Sequence, residues 1–120
     1  WGYSKLAEAV EKRAIEEMKH AEKHIGRILF LEGRPVVSNH NPIHIEADVP
    51  SQLKSDHAAE LGAIKAYNEA IRLCDELKDA GTREMLEDIL EDEEAHIDWI
   101  ESQLDQIDQM GLGSYLVTVI

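Results

Sequence analysis

The chain carries the same spacing of glutamate and histidine twice, at Glu17 with His20 and at Glu93 with His96. The two members of each pair are three positions apart, so on a helix both side chains project from one face. Around the second pair that face is otherwise apolar, because Leu and Ile recur at steps of three and four. A carboxylate and an imidazole in such a row are costly to bury unless other groups or a metal ion satisfy them.

A third carboxylate, Glu60, stands in the apolar row of another predicted helix. Glu17, Glu60 and Glu93 each fall near the middle of a helix, so a bundle brings them to one level. Three carboxylates alone in a core repel one another and take up protons, whereas two cations among them neutralise the charge. Imidazole and carboxylate ligands suit iron or manganese. The pattern therefore predicts a two-metal site suited to two-electron chemistry on dioxygen.

The alternative is a buried network in which these glutamates and histidines bond to one another and to Lys or Arg. The remaining histidines carry less weight for a metal site. His40 and His44 lie in a predicted loop and are expected to be solvated. His24 and His57 are expected to act as outer partners of the site, or to lie at the surface.

Composition bounds the classes of function. The chain has 120 residues, enough for one domain, and is 43% hydrophobic but only 5% aromatic. Its formal net charge of −13 repels nucleic acid and anionic membranes and attracts cations. A single cysteine, Cys74, excludes an internal disulfide and cysteine-rich metal sites. With no long apolar run, we expect a soluble, cytoplasmic protein without nucleic-acid or membrane partners.

The periodicity predicts an all-α single domain over residues 1–120. Three long helices are expected at about 4–31, 50–78 and 82–109. Residues 112–120 are expected to form a short C-terminal helix, with a frayed tail as the alternative. Ser4 and Thr82 are the expected N-caps. Gly33 with Pro35 ends the first helix, and Gly111 ends the third.

The stretch 32–48 has no helical pattern and is rich in Gly, Pro, Asn and Ser. A first helix of roughly 28 residues is about 42 Å long. A chain that returns to the starting end of that helix needs roughly 13 extended residues. The stretch is long enough, so we predict a crossover that makes the second helix parallel to the first.

The spacing also predicts an absent element. Glu60 precedes Glu93 by 33 residues, and the two lie on one antiparallel helix pair. Glu17 and His20 resemble the second half of another such pair, whose first half has no place in this sequence. We therefore expect three long helices with an open apolar groove, and a missing N-terminal helix supplied as a separate or cleaved segment.

With these residues placed, the chain resembles the bacterioferritin family over essentially its whole length. The matching phrases are EEMKHAEK at 16–23, RILFLEG at 27–33, DEEAHIDW at 92–99 and GLGSYL at 111–116. The resemblance implies a ferritin-like four-helix bundle that assembles from dimers into a hollow 24-subunit shell. It implies iron storage and detoxification, with Fe(II) oxidised to Fe(III) by dioxygen or hydrogen peroxide at a di-iron ferroxidase centre.

The resemblance also implies roles for individual residues. Glu17 and Glu93 would bridge the two iron ions. Met18 matches a ligand of a haem b that two subunits share, which leaves a haem-binding shell protein with little ferroxidase activity as the alternative function. The five iron ligands by position are Glu17, His20, Glu60, Glu93 and His96.

Two departures from the family pattern concern iron and electron transfer. Lys12 and Glu16 occupy the positions of an inner-surface iron site, and Lys12 would not bind iron. In a relay of two tyrosines and one tryptophan, Trp99 is kept and His24 replaces one tyrosine. The accessory site and that relay are therefore not expected to work as they do in the family.

Overall fold

The computed structural model describes residues 1–120, and they form four helices and no strand. The elements are α1 (Ser4–Phe30), α2 (Val49–Glu76), α3 (Ala80–Met110) and α4 (Leu112–Thr118). The all-helical prediction is confirmed, with boundaries within a few residues of those expected. None of the helices combines the length and the hydropathy that a bilayer span requires.

Aspartate side chains cap the starts of α2 and α3, whereas the N-caps predicted at Ser4 and Thr82 are wrong. Asp48 caps α2 by accepting a hydrogen bond of 2.8 Å from the Ser51 amide. Asp79 caps α3 in the same way, with the Thr82 amide 3.1 Å from its Oδ1. Because the Asp79 carboxylate reaches that amide, α3 begins at Ala80 and Thr82 lies inside its first turn. Ser4 is likewise the first helical residue of α1, and Tyr3 precedes it.

Side-chain pairs establish the directions of the three long helices. Arg13 contacts Asp56 and His24 contacts Tyr67, and both pairs are 43 residues apart, so α1 and α2 run in the same direction. His57 contacts Glu101 in α3, and further along α2 Asp75 contacts Arg83, so α2 and α3 are antiparallel. The extended stretch between α1 and α2 is therefore the predicted crossover.

The best-packed region joins one end of α2 and α3 to the short α4. Ile100 and Tyr115 have no solvent exposure there, and the Tyr115 hydroxyl donates a hydrogen bond of 3.0 Å to Gln103 Oε1. The other buried members of this cluster are Val49, Leu53 and Val119. Beside it, α1 and α2 flank an apolar groove of about 330 Å³ that Leu6, Val10 and Leu53 help to line.

Polar contacts hold the far end of α1 against the turn between α2 and α3. Arg27 donates hydrogen bonds to Thr82 Oγ1 at 2.8 Å and to Asp79 Oδ1 at 2.9 Å. A Cβ atom at Gly81 would lie 2.9 Å from the Arg27 guanidinium, so a larger residue there would displace the end of that side chain. These contacts set the axial position of α1, and with it the height of Glu17 and His20.

Candidate metal centre

The three central glutamates converge although they come from three different helices. Glu17 of α1, Glu60 of α2, and Glu93 and His96 of α3 each offer a ligand atom, and these atoms all lie within 4.8 Å of one another. Glu60 and Glu93 are buried, with 7% and 2% of their surface exposed. The Glu17 side chain is 44% exposed and forms the open side of the cluster.

His20, the fifth residue expected from the sequence, lies beside this group and is buried. Its Nδ1 is 3.1 Å from Glu93 Oε1 and 3.5 Å from Glu17 Oε2. The two imidazole rings of His20 and His96 are 6.4 Å apart between centroids. The structure thus brings together all five residues that the sequence nominates, which we call the central cluster.

Each histidine of the central cluster is held by an acidic residue of the opposite helix. His20 Nε2 is 2.9 Å from Asp92 Oδ2, and His96 Nε2 is 2.9 Å from Glu16 Oε2. An ionised carboxylate can only accept a hydrogen bond, so in both contacts Nε2–H donates. The hydrogen bond from His96 lowers the pKa of Glu16, which keeps that carboxylate ionised. In each ring Nδ1 is then left with a lone pair facing the central cluster.

Sequence reasoning did not assign this role to Asp92 and Glu16. Each acidic residue directly precedes the glutamate of a motif, so it points about 100° away from the inward row and looks solvent-facing. The signal was the repeated acidic pair, Glu16-Glu17 and Asp92-Glu93, three residues before each histidine. Carboxylates in this outer position orient metal-binding histidines and set their tautomer.

The inner atoms of the central cluster have no hydrogen-bond partners. Four buried atoms are in this state: Glu17 Oε1, Glu93 Oε1, His20 Nδ1 and His96 Nδ1. When Nε2 carries the ring proton and both carboxylates are ionised, all four atoms are acceptors and cannot satisfy one another. Unpartnered buried acceptors cost free energy, and cations bound between them would remove that cost. The donor set therefore fits metal ions better than the alternative of a self-satisfied polar network.

One cation of the chain itself approaches the central cluster. Arg13 donates a hydrogen bond of 2.6 Å to Asp56, and its Nη1 lies 3.8 Å from Glu60 Oε1. This Nη1 is buried and lacks a hydrogen-bond partner. One guanidinium does not offset three carboxylates, but it gives Glu60 a charged neighbour that the sequence alone did not single out.

The other expected positions are as follows. His24 and His57 make hydrogen bonds outside the central cluster, to Tyr67 and Glu101 respectively. His40 and His44 are exposed in the crossover. Met18 is 60% exposed, and its neighbour Glu17 reaches inward, so these two side chains leave α1 on different sides.

The excess of negative charge in the central cluster changes the pKa of Glu93. Burial, followed by the charge of Glu17 and contacts with Glu60, raises the pKa of Glu93 to about 8. Without a cation Glu93 is therefore mostly protonated at neutral pH. A bound cation has to displace this proton, so metal binding is coupled to proton release.

This titration predicts how pH changes the stability of the metal-free protein. Between the ordinary value of 4.5 and about 8, the folded protein holds a proton on Glu93 that the unfolded chain has lost. The free energy of unfolding should therefore fall as the pH rises through this range, by up to about 1.4 kcal/mol per pH unit. Denaturant unfolding in the presence of a chelator measures it. Glu93→Gln should remove this part of the slope, and an identical slope in both proteins would contradict the assignment.

The hydrogen bond between Asp92 and His20 leads to a second prediction. Asp92→Asn allows an amide to donate to His20 Nε2, which moves the ring proton to Nδ1 and blocks the metal-facing lone pair. We expect Co(II) to bind about 10- to 100-fold more weakly, as measured by titration calorimetry. The matched control is Glu94→Gln, an exposed residue of the same helix that loses the same charge. Equal affinities of the two variants would show that Asp92 does not hold the site.

Comparison with known proteins places the chain in a family. Residues 1–110 match the profile of the ferritin-like domain. A bacterioferritin of Brucella melitensis is 39% identical over 115 residues, which cover 96% of this chain and 71% of that protein. A bacterioferritin of Rhodobacter capsulatus is 40% identical over 92% of this chain and 69% of its own length. A bacterial ferritin of Neisseria meningitidis is 40% identical, over 96% of this chain and 75% of its own length.

These matches extend over nearly the whole chain and include all three helices that supply the central cluster. They confirm the resemblance that the motifs around Glu17 and Glu93 indicated. On the evidence of its sequence and its helical fold, this chain belongs to the bacterioferritins, within the ferritin-like proteins.

Proposed function

We propose that this chain stores iron, and that its central cluster binds two Fe(II) ions and promotes their oxidation to Fe(III). The observation that carries the proposal is the group of four buried acceptor atoms that face one another without partners. Carboxylate oxygens and imidazole nitrogens are the donors that iron takes in such sites. The names of the related proteins, bacterioferritin and bacterial ferritin, point to the same cargo.

The burial of the ligands suggests how iron enters. Glu17 is the most exposed of the five residues, whereas Glu60 and Glu93 are buried. Glu17 therefore meets an incoming cation first. Glu93 releases its proton as the cation arrives, while His20 and His96 are already held by Asp92 and Glu16 with their Nδ1 lone pairs turned inward.

The same residues favour oxidation of the bound iron. The bound Fe(II) ions each give one electron to dioxygen or hydrogen peroxide. Three carboxylates interact more strongly with a triply charged ion than with a doubly charged one, since the Coulomb energy scales with the product of the charges. Glu17, Glu60 and Glu93 therefore lower the potential at which iron is oxidised, and Glu17, the most exposed of the three, is the natural exit for Fe(III).

The proposal extends to a 24-subunit shell in the cytoplasm, built from dimers, with the mineral stored inside. The family of the relatives supports the shell, and the net charge of −13 supports the capture of cations. A charged surface of one sign raises the local concentration of the opposite ion. Iron, dioxygen or hydrogen peroxide, and further copies of the chain are thus the proposed partners.

A Glu93→Gln variant tests the oxidation. Glutamine keeps the shape of the side chain but removes the charge that binds both cations, so we expect the initial rate of Fe(II) oxidation to fall about tenfold or more. Stopped-flow absorbance of Fe(III) formation measures the rate, and circular dichroism checks the fold. Glu94→Gln, on the exposed side of α3, should keep the rate of the unchanged protein. Equal rates in the two variants would eliminate the di-iron enzyme.

A haem shared by two subunits is the second part of the proposal. The outer face of α1 exposes Ile15, Met18 and Leu29, of which Met18 is 60% exposed. An exposed thioether among apolar side chains can ligate haem iron when a second copy brings its own Met18 to the same group. A haem held there would supply one-electron transfer, and this is also the basis of the alternative function, a haem-binding shell protein with little ferroxidase activity.

A Met18→Leu variant separates the proposed haem binding from the proposed Fe(II) oxidation. Leucine keeps the apolar surface but has no sulfur, so the protein should lose haem absorbance on reconstitution while Fe(II) oxidation continues at the original rate. Met110→Leu removes another exposed methionine, at the end of α3, and should leave haem binding unchanged. Retention of haem with unchanged spectra in Met18→Leu would refute the assigned ligand.

A further inference from the structure

An ion pair between α1 and α2 lies in the layer of the bundle next to the central cluster. Arg13 comes one helical turn before Glu17 on α1. Asp56 comes one turn before Glu60 on α2, which runs in the same direction. Arg13 Nη2 donates a hydrogen bond of 2.6 Å to Asp56 Oδ2, and Arg13 Nη1 is 3.8 Å from Glu60 Oε1. The guanidinium is therefore shared between one carboxylate outside the central cluster and one inside it.

The two carboxylates hold this guanidinium unequally. Asp56 is fixed on both oxygens, because its Oδ1 also accepts a hydrogen bond of 2.8 Å from Gln52. By contrast, Arg13 Nη1 is buried without a hydrogen-bond partner, and its distance from Glu60 is too long for a hydrogen bond. The charge of Arg13 thus acts on Glu60, but no bond prevents Glu60 from turning to another cation.

No other Lys or Arg side chain lies as close to a carboxylate of the central cluster. Lys12 is adjacent in sequence, but its exposed ammonium lies 3.7 Å from Glu16, outside the cluster. Arg27 bonds to the turn between α2 and α3, at the far end of α1. The side chains of Arg13 and Glu60 are only 18% and 9% exposed, so water screens their interaction less than that of a surface pair.

We propose that Arg13 is the resident counter-cation of the central cluster and competes with iron for Glu60. In the metal-free protein the guanidinium offsets part of the negative charge of the three glutamates. When an iron ion binds to Glu60, two positive charges come close together, and their repulsion weakens the binding. This rests on the proposed function, because iron is the cation with which Arg13 competes. Asp56 holds the guanidinium beside the site in both states.

The competition differs in strength between the two oxidation states of iron. Coulomb repulsion grows with the product of the charges, so Arg13 repels Fe(III) more than Fe(II). The glutamates attract Fe(III) more strongly for the same reason, and a site made of these carboxylates alone would retain its product. A fixed positive charge next to Glu60 reduces that retention. Arg13 therefore favours release of the oxidised ion and return of the site to its metal-free state.

A purely structural role of the ion pair predicts a different result. If Arg13 and Asp56 only tie α1 to α2, breaking the pair from either side disturbs the ligands and weakens metal binding. If Arg13 competes with the metal, its loss tightens binding. Loss of the Asp56 charge then leaves the guanidinium free to approach Glu60, which weakens binding. The signs of the two effects separate the two explanations.

The first experiment measures Co(II) binding to the metal-free full chain by titration calorimetry, without iron or an oxidant. Arg13→Gln should bind Co(II) at least about fivefold more tightly, and Asp56→Asn at least about fivefold more weakly, than the unchanged protein. Circular dichroism checks the helical fold of both variants. The matched control is Arg72→Gln, which removes an exposed positive charge near the end of α2 and should keep the original affinity.

Tighter binding in Arg13→Gln together with weaker binding in Asp56→Asn supports the competition. Weaker or unchanged binding in Arg13→Gln overturns it. Equal tightening in Arg72→Gln also overturns it, because net charge alone would then explain the effect. If Arg13→Gln does not fold, Asp56→Asn still decides, since unchanged or tighter binding in that variant contradicts the proposal.

The second experiment follows the release of Fe(III). A first portion of Fe(II) is oxidised at the central cluster, and a second portion is added after increasing delays to measure how quickly the rapid phase of oxidation recovers. Recovery should be about threefold or more slower in Arg13→Gln than in Arg72→Gln, and equal recovery would overturn the role in release. The failures are distinguishable. If Glu93→Gln and Glu94→Gln oxidise Fe(II) equally, the proposed ferroxidase fails, while the Co(II) affinities still decide whether Arg13 competes with bound metal.

Discussion

A group of acceptor atoms that face one another inside the helical bundle is the main constraint on this molecule. Glu17 and Glu93 each point an oxygen inward, and His20 and His96 each point a ring nitrogen. While both carboxylates are ionised, none of the four atoms is a donor. Such an arrangement is destabilising by itself, because each buried acceptor has lost its water. The protein tolerates it through a proton on Glu93 and through Arg13 near Glu60. Both features are expected of a site whose acceptor atoms can hold cations.

The helices around the central cluster are held together by different kinds of contact. The α2 and α3 helices form an antiparallel pair whose core continues into α4 through Ile100 and Tyr115. At its start α1 also packs Leu6 against this core, but along the rest of its length it is tied to α2 and α3 by polar contacts. These contacts are at Arg13, at the two histidine–carboxylate bonds and at Arg27. Polar contacts are sensitive to charge, whereas apolar packing is not. The charges of these side chains therefore help to hold α1 in position.

A histidine–carboxylate pair on each side of the central cluster gives the site approximate internal symmetry. Asp92 holds His20, and Glu16 holds His96, so each helix orients the ligand of the other. Because the acidic partner of each histidine lies on the other helix, neither α1 nor α3 alone can orient its own histidine. Tyr67 and His24 add a third polar layer, which links α1 to α2 rather than to α3.

Helical periodicity was enough to predict the helices and the inward rows, and the length of the stretch 32–48 was enough to predict the parallel crossover. Periodicity was enough because the repeat of 3.6 residues fixes which side chains share a face, whatever the helix packs against. Glu17, Glu60 and Glu93 could be nominated for the same reason, as carboxylates in apolar rows. Asp79 was missed as the cap of α3, since Thr82 and Asp79 are both good caps and only the backbone path chooses between them.

Contacts between helices were decided by the tertiary structure. The pairing of Asp92 with His20, of Glu16 with His96 and of Tyr67 with His24 depends on the axial offset between neighbouring helices and on side-chain rotamers. A one-turn shift of about 5.4 Å would keep every residue on its face and break all of these pairs. The sequence by itself determined which side chains turn inward, because that is a property of one helix. Which atoms meet there is a property of several helices at once, and it was settled only by their packing.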